Sequence, residues 1–367
     1  MEDYLVRFGL VGLGWAAQEF HLPALGTIPG AEIVGGADVS ADKRAAFERQ
    51  TGAPTFASVD ELLDRGRPDV IVIGTPPDSH LDLCLRSLEG GAHVICEKPF
   101  AANAAEADQV LAAAAAAGRE VAVNHQYREK PIFRAVKERI GTDDVGRLVF
   151  CQIMQLMDLL PWEEPTPWRR AMPNRTLFEG GVHLVDLMLM LFEERPQAVF
   201  ARRSSGLDLE RDADAIHLLT IEFAGGRLAQ ITIDRLCRSA TRYIELRADC
   251  EHASLRASHG GRALLQVGMK RAERPGARVL FGLGGVAWLE RGTSRKTIAR
   301  SPRNPGVVAT GALFRKIAAA LAEGREPPSS GREARDGLEV IDAAYLSAES
   351  GERVLLPRDV LTPTTSG

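Results

Sequence analysis

Short apolar runs alternate with amphipathic stretches through the first third of the chain. Leu5 to Val11, Glu32 to Ala37, Val70 to Ile73, His93 to Cys96 and Val121 to Val123 are nearly continuously apolar, as strands buried on both faces of a parallel sheet are. Between them, Ala41 to Gln50 and Ser58 to Arg65 read as charged helices, the second opened by a capping box of Ser58 and Glu61. An Ala-rich helix starts at Asn103, boxed by Glu106, and stops at Gly118. Regular strand–helix alternation predicts an α/β doubly wound parallel sheet over residues 1–125.

Past Val123 the pattern changes. Arg134 to Arg139 reads as helix and Arg147 to Leu156 as strand. Ala215–Phe223 and Arg227–Asp234 flank Ala224-Gly225-Gly226, a hairpin signal, and Tyr243–Ala248, Ala253–Ala257 and Leu264–Lys270 continue as strand-like runs. Residues 126–367 are therefore expected to form an α+β domain with an open, mainly antiparallel sheet. Gly282-Leu283-Gly284-Gly285 reads as a turn. Gly311 to Gly324 and Arg332 to Gly351 close the chain as two helices, separated by Pro327-Pro328-Ser329-Ser330 and placed to pack back on the first domain.

The first apolar run ends at Gly12-x-Gly14-x-x-Ala17, the dinucleotide fingerprint of a Rossmann domain in its Ala-ending form. Gly12 permits the tight turn, Gly14 lets backbone approach a pyrophosphate, and Ala17 keeps the next helix close to the sheet. Trp15 and Ala16 open that helix, whose unpaired N–H groups favour phosphate. The second strand ends at Asp38, an acid placed to bond an adenine ribose. That favours NAD, with NADP the alternative because Lys43 and Arg44 follow closely.

Two further strands empty chemistry at the same sheet edge. Gly74-Thr75-Pro76-Pro77-Asp78-Ser79-His80 is a rigid turn beyond a central strand, placed to cover the nicotinamide half, and His80 is either a ligand contact or a first-turn helix residue. The next strand delivers Glu97-Lys98-Pro99. The Lys98 ammonium suits a substrate oxygen during hydride transfer, or else it pairs with Glu97 at the surface. A cis bond before Pro99 would fix the direction of the lysine.

Composition narrows the partners. The 367 residues suit two domains, and a net charge of −4 gives no drive towards nucleic acid or an anionic membrane. No apolar run reads as long enough to span a bilayer, and the N-terminus runs into the first strand without room for a signal peptide. Five cysteines without C-x-x-C spacing read as reduced thiols of a cytoplasmic protein, and no spacing of histidines calls for a metal.

Taken together, Gly12-x-Gly14-x-x-Ala17, Thr75-Pro76-Pro77-x-x-His80, Glu97-Lys98-Pro99 and Asn124-x-x-x-Arg128 resemble the glucose–fructose oxidoreductase, inositol dehydrogenase and MocA-like (GFO/IDH/MocA) family over essentially the whole chain. The resemblance implies an NAD(P)-dependent oxidoreductase of a sugar, polyol or inositol-like substrate, assembled as a homodimer or homotetramer through the C-terminal sheet. The family motif Asp-x-Gly-x-His-x-x-Asp has its counterpart in Glu179-Gly180-Gly181-Val182-His183-Leu184-Val185-Asp186. On one α-helix, residues 179, 183 and 186 would share a face. His183 is then implied as the acid/base, assisted by Lys98 and oriented by Glu179 and Asp186, with Arg128 contacting substrate. Glu179 departs from the family Asp, and its extra methylene moves the carboxylate.

A Pro-broken loop carrying Trp162, Trp168, Arg169 and Arg170 adds surfaces for stacking on a sugar ring or clamping an anion, or else packing anchors. In this reading, Lys98 and His183 converge on one substrate carbon beside the nicotinamide. Two other functions remain open: an NAD-dependent glycoside hydrolase working by transient oxidation, and a non-catalytic nucleotide-binding regulator.

Overall fold

A computed structural model describes residues 5–157, 172, 174–204, 214–238, 243–260, 262–267, 277–282 and 285–357. The chain divides into two compact units, Met1–Glu129 with Gly306–Asp342, and Lys130–Pro305 with Ala343–Gly367.

In the first unit, β1 (Val6–Val11), β2 (Ala31–Ala37), β3 (Thr55–Phe56), β4 (Val70–Ile73), β5 (His93–Cys96) and β6 (Val121–Val123) form a sheet in the order β3-β2-β1-β4-β5-β6. Every pair is parallel, and β1 lies between β2 and β4, so the strand order reverses beside the glycine turn. A doubly wound sheet opens its ligand crevice at that reversal. The β4 side chains are all buried, which explains the unbroken apolar run. The capping residues act as their types require: Ser58 Oγ accepts from Glu61 N–H at 3.2 Å and Asn103 Oδ1 from Glu106 N–H at 2.9 Å.

Residues 306–342 belong to this unit. Ser329 exchanges hydrogen bonds with Val123, whose N–H donates to the Ser329 carbonyl and whose carbonyl accepts from Ser329 Oγ, both at 2.8 Å. Contrary to the expectation that no apolar run is long enough to span a bilayer, the helix Pro305–Ala322 is long and apolar enough to do so by length and composition alone. Its Leu313, Phe314 and Ile317 are fully buried in the core with Phe8, Leu10 and Leu25, so that hydrophobicity is spent on packing.

In the second unit, β7 (Leu148–Leu156), β8 (Ala198–Ser204), β9 (Ile216–Glu222), β10 (Leu228–Asp234), β11 (Ile244–Cys250), β12 (Ser254–His259), β15 (Val286–Arg291), β16 (Ser294–Arg300) and β17 (Val354–Leu355) form one sheet, ordered β16-β15-β12-β11-β7-β10-β9-β8-β17. A separate antiparallel pair joins β13 (Arg262–Val267) to β14 (Ala277–Gly282). Within the large sheet only β7 and β10 run parallel, with Ile153 opposite Ile231. Burial alternates along β7, β9 and β10. Cys151, Ile153, Leu219 and Ile231 are buried, while Gln152, Met154, Leu218 and Gln230 lie on the more open face. The helix Val182–Phe192 packs on β7 and β10. Strands β3, β8, β14, β15, β16 and β17 were not foreseen from the sequence: β3 and β17 are two residues long, and charged residues interrupt the apolar pattern of β8, β15 and β16.

All five cysteines are free, with Cys84, Cys96 and Cys151 buried. Among the described residues, no group of three or more His, Cys, Asp or Glu side chains is placed to hold a metal ion.

Candidate functional site

The glycine turn has the shape that its sequence demands. Gly12 sits at φ +86°, and a Cβ there would come within 2.8 Å of Gly74 and Thr75 backbone atoms. At Gly14 the corresponding position meets only the Lys43 ammonium, at 3.8 Å, so backbone and a pyrophosphate can approach closely. Trp15 is 65% exposed beside the turn and stands edge-on to Phe20, with ring centroids 5.1 Å apart. The helix expected after the turn is not regular, because Ala17–His21 is a π-helical turn leading into Leu22–Leu25.

Asp38 closes β2. Its Oδ2 accepts the Leu13 N–H at 2.9 Å and its Oδ1 the Ser40 N–H at 2.8 Å, so the acid organises the glycine turn. Carboxylate lone pairs remain for a ribose hydroxyl. Lys43 stands 3.6 Å from Asp38 Oδ2, and Arg44 donates to the Asp38 carbonyl at 2.7 Å. These contacts fit NAD: an open glycine turn for the phosphates and an anchored acid for the ribose.

At the end of β5, Glu97 is the centre of a polar cluster that the sequence reading understated. The His21 Nε2 lies 2.8 Å from Glu97 Oε1, Asn124 Nδ2 donates to the same oxygen at 2.6 Å, and the Lys98 N–H reaches Oε2 at 3.2 Å. Burial pushes the Glu97 carboxyl up, but the His21 hydrogen bond and charge, the Asn124 amide and the nearby Lys98 outweigh it and hold the group at about 2. The Lys98–Pro99 peptide is cis. His21 itself was not singled out from sequence, and the wide turn before it offers no pattern by which to find it.

His80, expected at the nicotinamide, has another task. It is fully buried, with Nδ1 2.8 Å from the Pro99 carbonyl and Nε2 3.0 Å from the Thr75 carbonyl; burial lowers its pKa, and the single N–H of the neutral ring donates to one of these carbonyls while the ring packs between the two loops. Thr75 Oγ1 accepts from Ser79 Oγ at 2.8 Å, which fixes the Pro76-Pro77 turn. Arg128, expected on substrate, is 8% exposed and donates to Glu333 at 2.7 Å.

In the second unit the motif around His183 differs from a plain helix. Thr176–Gly181 is a π-helical turn and the α-helix begins at Val182, so Glu179 does not follow the α-helical phase expected for residues 179, 183 and 186. His183 and Asp186 are buried, at 7% and 3% exposure. Glu179 Oε2 stands 3.8 Å from Nη1 of the buried Arg235. A Cβ at Gly181 would meet Ile233 and Leu177 at 3.0 Å, which is why the segment needs glycine where it nears β10. Trp162, Trp168, Arg169 and Arg170 lie outside the described residues.

Residues 6–125 match the model of an oxidoreductase family with an NAD-binding Rossmann fold, and residues 133–256 match the GFO/IDH/MocA C-terminal domain. Among relatives, 1,5-anhydro-D-fructose reductase of Ensifer adhaerens is 28% identical over 229 residues, 61% of this chain and 68% of that protein. D-Apiose dehydrogenase of Paraburkholderia graminis is 28% identical over 381 residues, covering 98% of this chain and 93% of that one. A crystal structure of an Agrobacterium radiobacter oxidoreductase, in complex with NAD+, L-tartaric acid and magnesium, shares the fold at a TM-score of 0.79 and 18% identity, covering 96% of this chain and 98% of that chain. With the glycine turn, the anchored Asp38 and both domain matches in sequence order, the chain belongs to the GFO/IDH/MocA family and is an NAD(P)-dependent oxidoreductase.

Proposed function

We propose that the protein oxidises or reduces a secondary alcohol or ketone carbon of a sugar, polyol or inositol-like substrate. The observation that carries this is the Glu97 cluster. A carboxylate gripped by His21, Asn124 and the Lys98 N–H fixes the backbone from which a lysine side chain leaves the end of β5. The named activities of the relatives, on anhydrofructose and apiose, support the substrate class.

When bound, NAD supplies the hydride acceptor or donor. The turn at Gly12 and Gly14, with Trp15, Ala16, Thr75 and Pro76, would hold its phosphates and nicotinamide half, and Asp38 its ribose. Lys98 would steady the reacting oxygen as charge develops on it, and His183 would take or return the hydroxyl proton. Glu179 and Asp186 would orient His183. The Trp162 to Arg170 segment would supply further contacts to substrate.

Purified protein offered NAD or NADP with a panel of sugars and inositols, followed by absorbance of the reduced cofactor, tests the reading. Lys98→Ala and His183→Ala should each lower kcat by roughly a hundredfold or more with NAD binding retained. Full turnover in either variant would overturn that residue's role. Free sugar released without net NADH would instead favour the glycoside hydrolase. We also assign the open face of the large sheet, with Met154, Leu218 and Trp288, to pairing with a second copy; sedimentation as a monomer at micromolar concentration would refute this.

A further inference from the structure

The segment that bears Glu179 opens in an unfavourable geometry. A π-turn is wider than an α-turn, and such turns occur mostly as single turns within α-helices, frequently at functional sites. Here its first residues are gripped on several sides. Asp214 Oδ2 accepts the Thr176 N–H at 2.6 Å, and the Tyr345 hydroxyl accepts the Leu177 N–H at 3.2 Å. That hydroxyl shares its own proton between the Asn174 carbonyl and Asp214 Oδ2, the latter at 2.9 Å. Arg235 Nη2 donates to the Thr176 carbonyl at 3.3 Å while Nη1 faces Glu179.

The grip is itself buried and braced. Asp214 is 7% exposed, His217 is fully buried, and His217 Nε2 lies 2.5 Å from Asp214 Oδ1. Burial raises the Asp214 carboxyl, yet His217, the Thr176 N–H and the Tyr345 hydroxyl together draw it below its ordinary range. Burial and the facing Asp214 carboxylate push the Tyr345 phenol up, so it stays protonated and keeps its donor. None of these four residues belongs to the motif read from sequence. They reach one turn from β9, the end of β10 and the C-terminal helix.

We infer that Asp214, Tyr345 and Arg235 are positioning residues that hold the π-turn in its wide form, and so set the angle at which Glu179 is presented relative to His183. Relaxation to an α-turn would rotate Glu179 by about 100° about the helix axis relative to His183. A catalytic group displaced by even ~1 Å costs about a hundredfold in rate. The inference rests on the reading of His183 as the proton-exchanging group.

The test uses the full chain labelled with 13Cε1-histidine, the His183 resonance being assigned with His183→Gln. Tyr345→Phe and Asp214→Asn should each move the His183 titration midpoint by about half a unit or more, because the Glu179 charge changes place. In the same variants, kcat on the best substrate of the panel should fall at least about tenfold with the KM for NAD little changed. Phe223→Leu, which weakens the Phe192–Phe223 stack (3.8 Å between centroids) in the same unit, controls for lost stability and should leave the midpoint in place. An unmoved midpoint in both Tyr345→Phe and Asp214→Asn overturns the positioning role while leaving His183 in place. Full turnover in His183→Gln would instead bring down the catalytic reading on which it rests.

Discussion

Glu97→Gln isolates the polar cluster at the end of β5. Three donors converge on its carboxylate: His21 at 2.8 Å, Asn124 at 2.6 Å and the Lys98 N–H at 3.2 Å. A glutamine keeps the shape but turns an NH2 group towards a donor and removes the charge. The side chain is only 13% exposed, so solvent screens these contacts weakly. Its carboxyl is held at about 2 against a reference of 4.5. That difference corresponds to about 3 kcal/mol of stability at neutral pH, as an order of magnitude.

The sign follows from the depressed value. The unfolded chain binds the proton more readily, so the stabilisation is fully present above pH 4.5 and is lost as pH falls towards 2. More than a third of it should be gone at about pH 3.5. Urea unfolding of wild type and Glu97→Gln at pH 7, 5 and 3.5 measures the gap. It should be about 3 kcal/mol at pH 7 and narrow towards pH 3.5. A gap that stays constant over that range refutes the charge argument, even if the variant is less stable.

Other outcomes follow from the same structure. Gly12→Ala forces a side chain into φ +86° and against Gly74 and Thr75, so NAD affinity measured by calorimetry should fall at least about tenfold, with a lower Tm. Gly180→Ala drives a Cβ to 2.5 Å from Arg235 Nη2 and 3.1 Å from Gln155 Oε1, and should lower kcat far more than it weakens NAD binding. Lys130 is 4% exposed, with its ammonium 3.0 Å from His259 Nε2, and burial lowers it to about 7. The unfolded lysine binds its proton up to about pH 10.5, so Lys130→Met should stabilise the fold at pH 7 in urea unfolding, with the gain shrinking as pH rises towards 10.

The ordered strands, the glycine turn and the caps were legible because each is a local pattern. Four buried residues in β4 read directly as a central strand, and Ser58 and Asn103 cap helices through neighbours three residues away. The positions of Lys98 and His183 could also be marked from their motifs. What each side chain does there was less legible. His80 sits in the motif yet is buried between two backbone carbonyls, and Arg128 donates to Glu333 from more than two hundred residues away.

By itself, the sequence determined the parallel sheet, the NAD-binding turn and the family, because periodicity and short motifs act over a few residues. Only tertiary structure decided the local geometry around the candidate site residues. The π-turns at Ala17–His21 and Thr176–Gly181 replace α-helical phase with a wider one, and no periodicity announces them. The groups that hold them, His21 on Glu97 and Asp214 with Tyr345 on Thr176 and Leu177, are distant in the chain. Their pairing is set by burial, where an unmet backbone donor is costly and a partner from anywhere in the chain will serve.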